Sequence, residues 1–275
     1  MIEIRYDLGR DTTVKLLRAV GVAVVVLAVM GPSAAADSAQ SFRAEYSISY
    51  LGLTLARSNF ESTIDDKSFR LKGSLSSAGI AEMFDDTKGT TSASGSFVRG
   101  LARPDTFAAD YTTGRKAKKI IIGFAGGSVS KTVNIPPPKP RGQDWISVSA
   151  SQLRGVADPL SATLVRADRL EEVCGRTLKV FDGEMRADLS LALAEKGPVS
   201  IGGYEGEAVV CEARFVPVAG FRKGHKSIEY LKNRSKIRIT FAPLGTTGVY
   251  APIRATIGTR IGTITISARG LKQIR

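Results

Sequence analysis

The stretch Cys174 to Leu191, "CGRTLKVFDGEMRADLSL", contains the pattern on which the fold turns. Apolar side chains occupy alternate positions through Met185, Ala187, Leu189 and Leu191 and on to Leu193, with Arg186, Asp188 and Ser190 between them. A period of two places one set on each face of a strand, so the spacing predicts a half-buried antiparallel strand with one face wet. Asp182-Gly183, just upstream, reads as a two-residue hairpin connection whose twist matches right-handed strands, and it pairs "LKVF" with "EMRADLSL".

Working outward, the same alternation recurs along the chain. It is present at Tyr46, Ile48 and Tyr50, and after a one-residue slip at Leu51-Gly52 it resumes at Leu53 and Leu55. A turn or bulge produces such a slip. Phe69, Leu71 and Leu75 repeat the pattern, followed by Ile120, Ile122 and Phe124, then Val129, Val133 and Ile135. Near the C-terminus it returns in Ile237, Ile239 and Phe241, and in Ile264, Ile266 and Ala268. About a dozen strands result from the alternation and turn rules. The fold class expected is mainly β: curved antiparallel sheet forming a barrel-like or half-barrel architecture, with one or two short helices. Asp158 as N-cap and Pro159 at the first helical position predict one of these helices over Pro159 to Ala167. "SAGIAEMF" supplies at most one helical turn. The run "IPPPKPRGQ", Ile135 to Gln143, lacks the amide donors a sheet needs and reads as a connector, either within one domain over residues 37–275 or between two sheets of it.

The first 36 residues read as an address. Arg10, Lys15 and Arg18 precede the apolar run Ala19 to Met30, then Gly31-Pro32 and Ala34-Ala35-Ala36. That layout is a secretory signal with cleavage between Ala36 and Asp37. The alternative, a retained anchor, is opposed by the length of the apolar run, which falls short of the roughly 20 residues that span a bilayer. Cleavage removes four cationic and three anionic side chains, so the net charge of +13 falls to +12 and the expected location is the periplasm. A basic protein outside the cytoplasm meets lipid head groups and surface polysaccharide rather than nucleic acid. Its charge then serves solubility or peripheral contact with the envelope.

Only two cysteines are present, and no CxxC spacing. In an oxidising compartment an even count of two implies one bridge, Cys174 to Cys211, which stabilises by about 4 kcal/mol in the chain-entropy account. The pairing ties the start of the predicted hairpin to "EAVVCEARF", another alternating strand.

Four segments together, "CGRTLKVFDGEMRADLSL", "YEGEAVVCEARFVPVAG", "ADPLSA" and "APIRATIGTRIGTITISA", resemble the proteobacterial secreted family catalogued as domain of unknown function 3108. The likeness runs from about Tyr46 to Arg269. It implies an exported β-rich protein of curved antiparallel sheets with Cys174 and Cys211 paired, and it brings no catalytic residue.

Catalytic constellations are scarce. The single histidine, His225, sits in "FRKGHKS" without a neighbouring nucleophile and orienting carboxylate, and reads as a loop residue. No nucleophile elbow, phosphate loop or zinc-protease helix occurs, so no cofactor is implied. One histidine and two bridged cysteines leave no zinc ligand set. The carboxylate pairs Asp65-Asp66, Asp85-Asp86 and Glu171-Glu172 read as turn and surface residues, since neighbours on a strand point apart. The basic run Arg115, Lys116, Lys118 and Lys119, and a second stretch from Arg222 to Lys236, are candidates for contact with an anionic surface; the alternative is a solvated hairpin protected from edge pairing. Tyr46, Ile48, Tyr50, Ile120, Ile122 and Phe124 are candidate ligand-lining residues if the sheet curls around a cavity, and ordinary core if it does not. The leading functional expectation is a non-enzyme that binds a hydrophobic or amphipathic envelope component. A structural or interaction module with a filled core is the first alternative, and an enzyme on envelope polysaccharide or lipid the second.

Overall fold

The alternating segments form strands joined edge to edge in a computed structural model that describes residues 39–79, 81 and 86–274. The segment read as a secretory signal, with its expected cleavage between Ala36 and Asp37, lies outside the described residues, as does most of "SAGIAEMF". Seven strands follow one another as an antiparallel meander: β1 (Gln40–Tyr50), β2 (Leu53–Ile64), β3 (Ser68–Ser77), β4 (Thr87–Val98), β5 (Leu101–Thr113), β6 (Lys116–Ala125) and β7 (Ser128–Ile135). Then come three short strands, β8 (Trp145–Ile146), β9 (Val165–Arg166) and β10 (Thr177–Phe181), and the long hairpin β11 (Arg186–Ile201) with β12 (Tyr204–Ala219). The chain ends with β13 (Phe221–Arg222), helix α1 (Lys226–Asn233), β14 (Ile237–Pro243), β15 (Val249–Thr259) and β16 (Gly262–Gln273).

These strands build one 14-stranded sheet in the order β10-β11-β12-β14-β15-β16-β1-β2-β3-β4-β5-β6-β7, with β9 off the path and only β8 and β13 paired apart from it. Strand β9 pairs with both β15 and β5, through Val165 opposite Tyr250 and Leu101. It therefore closes a ring of eight antiparallel strands running β15, β16, β1 to β5 and back through β9. The remaining strands extend outward from the two ring members that β9 joins. Within the ring no strand is left with a free edge, and the edges of the whole sheet are those of β10 and β7.

Several local expectations are corrected. Pro159 to Ala167 is not a helix: Ser161–Thr163 makes a single 3-10 turn, and Val165–Arg166 becomes the closing strand. Two β-branched residues, Thr163 and Val165, lie in that window, and the backbone partners offered by β5 and β15 outweigh the capping signal. The helix of the fold is α1 instead. The proline connector does not divide two sheets, since β7 before it and β10 after it are the two ends of the same sheet. The β10–β11 hairpin forms as expected, with Phe181 opposite Arg186, but its loop has four residues rather than two. Asp182 Oδ1 accepts the Glu184 and Met185 amides at 2.9 and 2.7 Å, which rounds the turn into a wider one. Arg186, expected on the wet face, is buried at 4% exposure. It pairs with Asp188 at 2.6 Å and donates to the Gln152 carbonyl at 3.1 Å, because the segment after the connector folds over that face.

Two cores result. One fills an end of the barrel with Phe42, Ile64, Phe69, Phe107, Leu164 and Val249. The other surrounds the Cys174–Cys211 bridge with Val165, Val173, Val209 and Phe241. Both sulfurs are enclosed, Cys211 completely. Replacing both cysteines by serine is expected to lower the unfolding free energy by about 4 kcal/mol, read as a shifted urea midpoint, while the far-ultraviolet spectrum stays β.

Candidate functional site: a cavity inside the barrel

The strand registers arrange the inward positions of β1 to β5 in rows. Phe42, Ser62, Leu71, Ala93 and Phe107 form one; Ala44, Phe60, Gly73, Thr91 and Ala109 the next; Tyr46, Ser58, Leu75, Gly89 and Tyr111 the third. The first row belongs largely to the filled core. In the other two, small residues face the interior where a packed barrel needs large ones, and the missing volume collects as a cavity of about 640 Å3. Two glycines make room for aromatic rings. A Cβ on Gly73 would meet the Phe60 ring at 2.3 Å, and one on Gly89 would meet Tyr111 Cβ at 2.7 Å. The Phe60 ring thus lies over Gly73, while at Gly89 the β4 backbone comes close to Tyr111.

The floor of the cavity is the segment that leads into β9. Leu160, Thr163 and Leu164 line it, next to Leu244. Asp158 holds this segment in shape: its Oδ1 accepts the Leu160 amide at 2.9 Å and the Ser161 amide at 2.8 Å. The carboxyl is 0% exposed, and burial pushes its pKa up to about 6. The walls toward the opposite end carry Ile48, Ile266, Ala255 and the hydroxyl pair Thr87–Thr113, bonded at 3.2 Å. Tyr46 stands edge-on to Phe60 with ring centroids 5.8 Å apart, and donates to the Pro252 carbonyl at 2.8 Å. Burial pushes its phenol up to about 12, so it stays a neutral donor. Among the described residues that border the cavity Arg254 is the single charged one, and its register opposite Ser267 turns its exposed side chain to the outer face.

The candidate lining residues divide. Tyr46 and Ile48 line the cavity. Tyr50 does not; its hydroxyl donates to the Ile261 carbonyl at the turn above. Ile120 and Ile122 are buried in the filled core and Phe124 packs against it. The reason is topological: β6 lies just outside the eight-strand ring, and its inner face meets Val156 and Phe181 instead of the open interior. Phe60, Tyr111, Gly73 and Gly89 escaped the sequence reading. The run "GTTSASGS" of Gly89 to Ser96 held a signal, a strand of small residues with no large apolar face.

The basic run sits on the β5–β6 turn. Arg115 and Lys116 are exposed, while Lys118 pairs with Glu184 at 3.2 Å and Lys119 with Asp110 at 3.9 Å. His225 is exposed at the start of α1. Asp65 caps its own turn, accepting the Lys67 and Ser68 amides, Glu171 pairs with Lys196, and Glu172 pairs with Arg169. Among the described residues no group of three or more His, Cys, Asp or Glu side chains is placed to hold a metal ion. Among the same residues no helix is long and apolar enough to cross a membrane.

The chain belongs to the family described as "Protein of unknown function (DUF3108)", whose pattern matches residues 45–269. No curated protein matches the sequence. A solved β-barrel-like protein of domain of unknown function DUF1849 from Brucella abortus is similar in fold at 10% identity, with a TM-score of 0.50 over 87% of this chain and 100% of that one. A second solved structure, described as "a putative lipoprotein" from Parabacteroides distasonis, aligns at 5% identity over 86% of this chain and 96% of that one. Its TM-score of 0.28 is too low to compare folds.

Asp158 ties the floor of the cavity to pH. A carboxyl with an ordinary value of 3.8 when unfolded and about 6 when folded binds its proton more tightly in the folded chain. Its contribution is therefore favourable below about pH 4, declines as pH rises through about 6, and levels off above. Asp158→Asn keeps the acceptor for both amides and removes the charge. The variant is expected to unfold at a higher temperature than wild type at pH 7.5, and to show a flatter stability profile between pH 4 and 6.

Proposed function

We propose that the protein works outside the cytoplasm as a non-catalytic binder of one amphipathic envelope component, whose apolar part occupies the barrel cavity. The observation that carries this reading is the cavity itself. At about 640 Å3 it falls within the roughly 300–1,000 Å3 range of small-molecule sites. Its walls are apolar side chains and hydroxyls. Burial of hydrocarbon there gains about 25 cal/mol per Å2 removed from water. The Thr87–Thr113 pair and Tyr111 supply hydrogen-bonding groups that orient the polar end.

Two further features support it. Among the described lining residues there is no carboxylate, histidine, lysine or cysteine, so the lining hydroxyls of Ser58 and Ser62 have no general base beside them in the lining. The enclosed disulfide suits an oxidising compartment. A filled β core acting through its surface is the weaker reading, because the inward rows leave the barrel hollow.

The test is to express the full chain with its own leader in a bacterial host, recover the protein from the periplasm, and examine it by native mass spectrometry. A co-purifying lipid, exchangeable for added lipid, is the expected result. A protein repeatedly empty, with no exchange, overturns the reading. Ala109→Phe combined with Ala255→Phe fills the cavity. The double variant is expected to lose bound lipid and the fluorescence of an added naphthylamine probe, while its unfolding midpoint does not fall, since the added rings occupy space rather than displace packed atoms.

A further inference from the structure

The end of the barrel away from β9 carries an arrangement that neither the cavity nor the cores explain. Ile261 and Leu51 are the two most exposed large apolar residues described, at 78% and 68%, and Leu53 follows with Ile135 at 54%. Ile261, Leu51 and Leu53 sit on adjacent hairpin turns, β1–β2 and β15–β16, held together where the Tyr50 hydroxyl donates to the Ile261 carbonyl. Leu51 is doubly out of place. With Gly52 it forms a two-residue turn in which both residues have positive φ, +48° and +83°. Asparagine, aspartate or glycine fills the first position of such turns with less strain and without exposing hydrocarbon. The same geometry recurs at the opposite end, in the β4–β5 turn, with φ +51° and +75°, and there the residue is Arg99.

Cations flank these tips on both sides. Arg260 shares the turn with Ile261. Beyond it lie Lys232, Arg234 and Lys236, fixed to the end of β15 by Ser235 Oγ donating to the Gly258 carbonyl at 2.7 Å and Gly258 donating to the Lys236 carbonyl at 3.0 Å. On the far side stand Arg115 and Lys116 in the β5–β6 turn. These six side chains are exposed and form no ion pair among the described residues. Of the described residues at this end, these acidic groups are engaged: Asp86 with Lys88, Glu184 with Lys118, Asp110 with Lys119, and Glu229 with the Asn233 amide. The two basic stretches, far apart in sequence, thus reach one end of the barrel, with the apolar tips between them.

We propose that this end docks on an anionic lipid bilayer, the Leu51, Leu53 and Ile261 side chains entering the head-group region while the flanking cations meet lipid phosphates. The pattern is that of interfacial binding, in which apolar burial and electrostatic attraction act together. A soluble polyanion would use the cations and leave the three tips in water. Docking stands apart from cavity occupancy: an empty barrel could dock, and a loaded one could fail to.

The experiment uses the full chain carrying Trp145→Phe and Ile261→Trp, so that the indole reports the tip itself whatever the N-terminal segment does. With phosphatidylcholine vesicles doped with phosphatidylglycerol, its emission is expected to shift to shorter wavelength and to be quenched by brominated acyl chains. Val98→Trp, at the opposite end, is expected to show neither. Leu51→Asp with Ile261→Asp in the otherwise unaltered chain is expected to weaken binding about a hundredfold, judged from the transfer of two apolar side chains. Changing Lys232, Arg234 and Lys236 to glutamine is expected to weaken it about tenfold or more and to flatten its salt dependence. Aspartate tolerates the backbone at Leu51, so the fold is retained, and co-purified lipid in these variants reports the cavity separately. Unmoved emission from Trp at position 261, or wild-type binding by the double aspartate variant, overturns the proposal.

Discussion

Two residues of backbone decide whether this chain is a sheet or a barrel. Strand β9 contributes only Val165 and Arg166, yet its amides alternate between the two halves of the molecule: Arg166 donates to Gly100 at 3.0 Å and Ala167 to Gly248 at 3.1 Å. So short a strand cannot hold a ring by its own hydrogen bonds, each of which nets about 1 kcal/mol. The surroundings hold it. Val165 is wholly buried, the Arg166 guanidinium donates to the carbonyl oxygens of Asp65 and Asp66 on the β2–β3 turn, and it stacks 4.3 Å over the Phe97 ring. On one side Asp158 shapes the approach to β9, and on the other the Cys174 bridge anchors the exit to β12. The disulfide thus secures the clasp of the barrel as well as the hairpin beside it.

From that closure follows the division of the interior. The clasp and its approach segment bring large side chains inward at one end, where Leu164 and Val249 meet Phe42 and Phe107 in a packed layer. Farther along the same strands the inward residues shrink to Ala44, Ser58, Gly73, Gly89 and Ala109. Small side chains at these positions leave the apolar walls without protein partners across the barrel, a cost in packing that the solid layer does not carry. The hollow and the solid layer share strands and register and differ only in side-chain volume.

What the sequence disclosed, and what it concealed, has a common cause. Alternation is visible wherever large apolar residues mark one face, so the strands around Tyr46, Leu71, Ile122 and Ile266 were legible, as was the Cys174–Cys211 pairing from compartment and count. The cavity is written in small residues, and Gly89, Thr91 and Ala93 give a periodicity reading almost nothing to count. Closure was equally hidden, because two residues make no period and the Asp158-Pro159 signal pointed to a helix. Arg186 misled for a third reason. A polar residue between apolar neighbours implies a wet face only if no other segment of the chain covers it, and residues distant in sequence do.

Strands β1 and β16 are neighbours in the ring, with Tyr46 opposite Ala268 and Phe42 opposite Gln273. The first strand of the fold therefore waits for the last. Until some 220 residues have followed it, β1 has only β2 to pair with, and its other edge stays unsatisfied. Contacts of such long sequence separation make folding slow and leave strand edges open to wrong partners meanwhile. A chain of this topology is committed late, so agents that shield unpaired edges during synthesis should affect its yield more than changes made to the finished core.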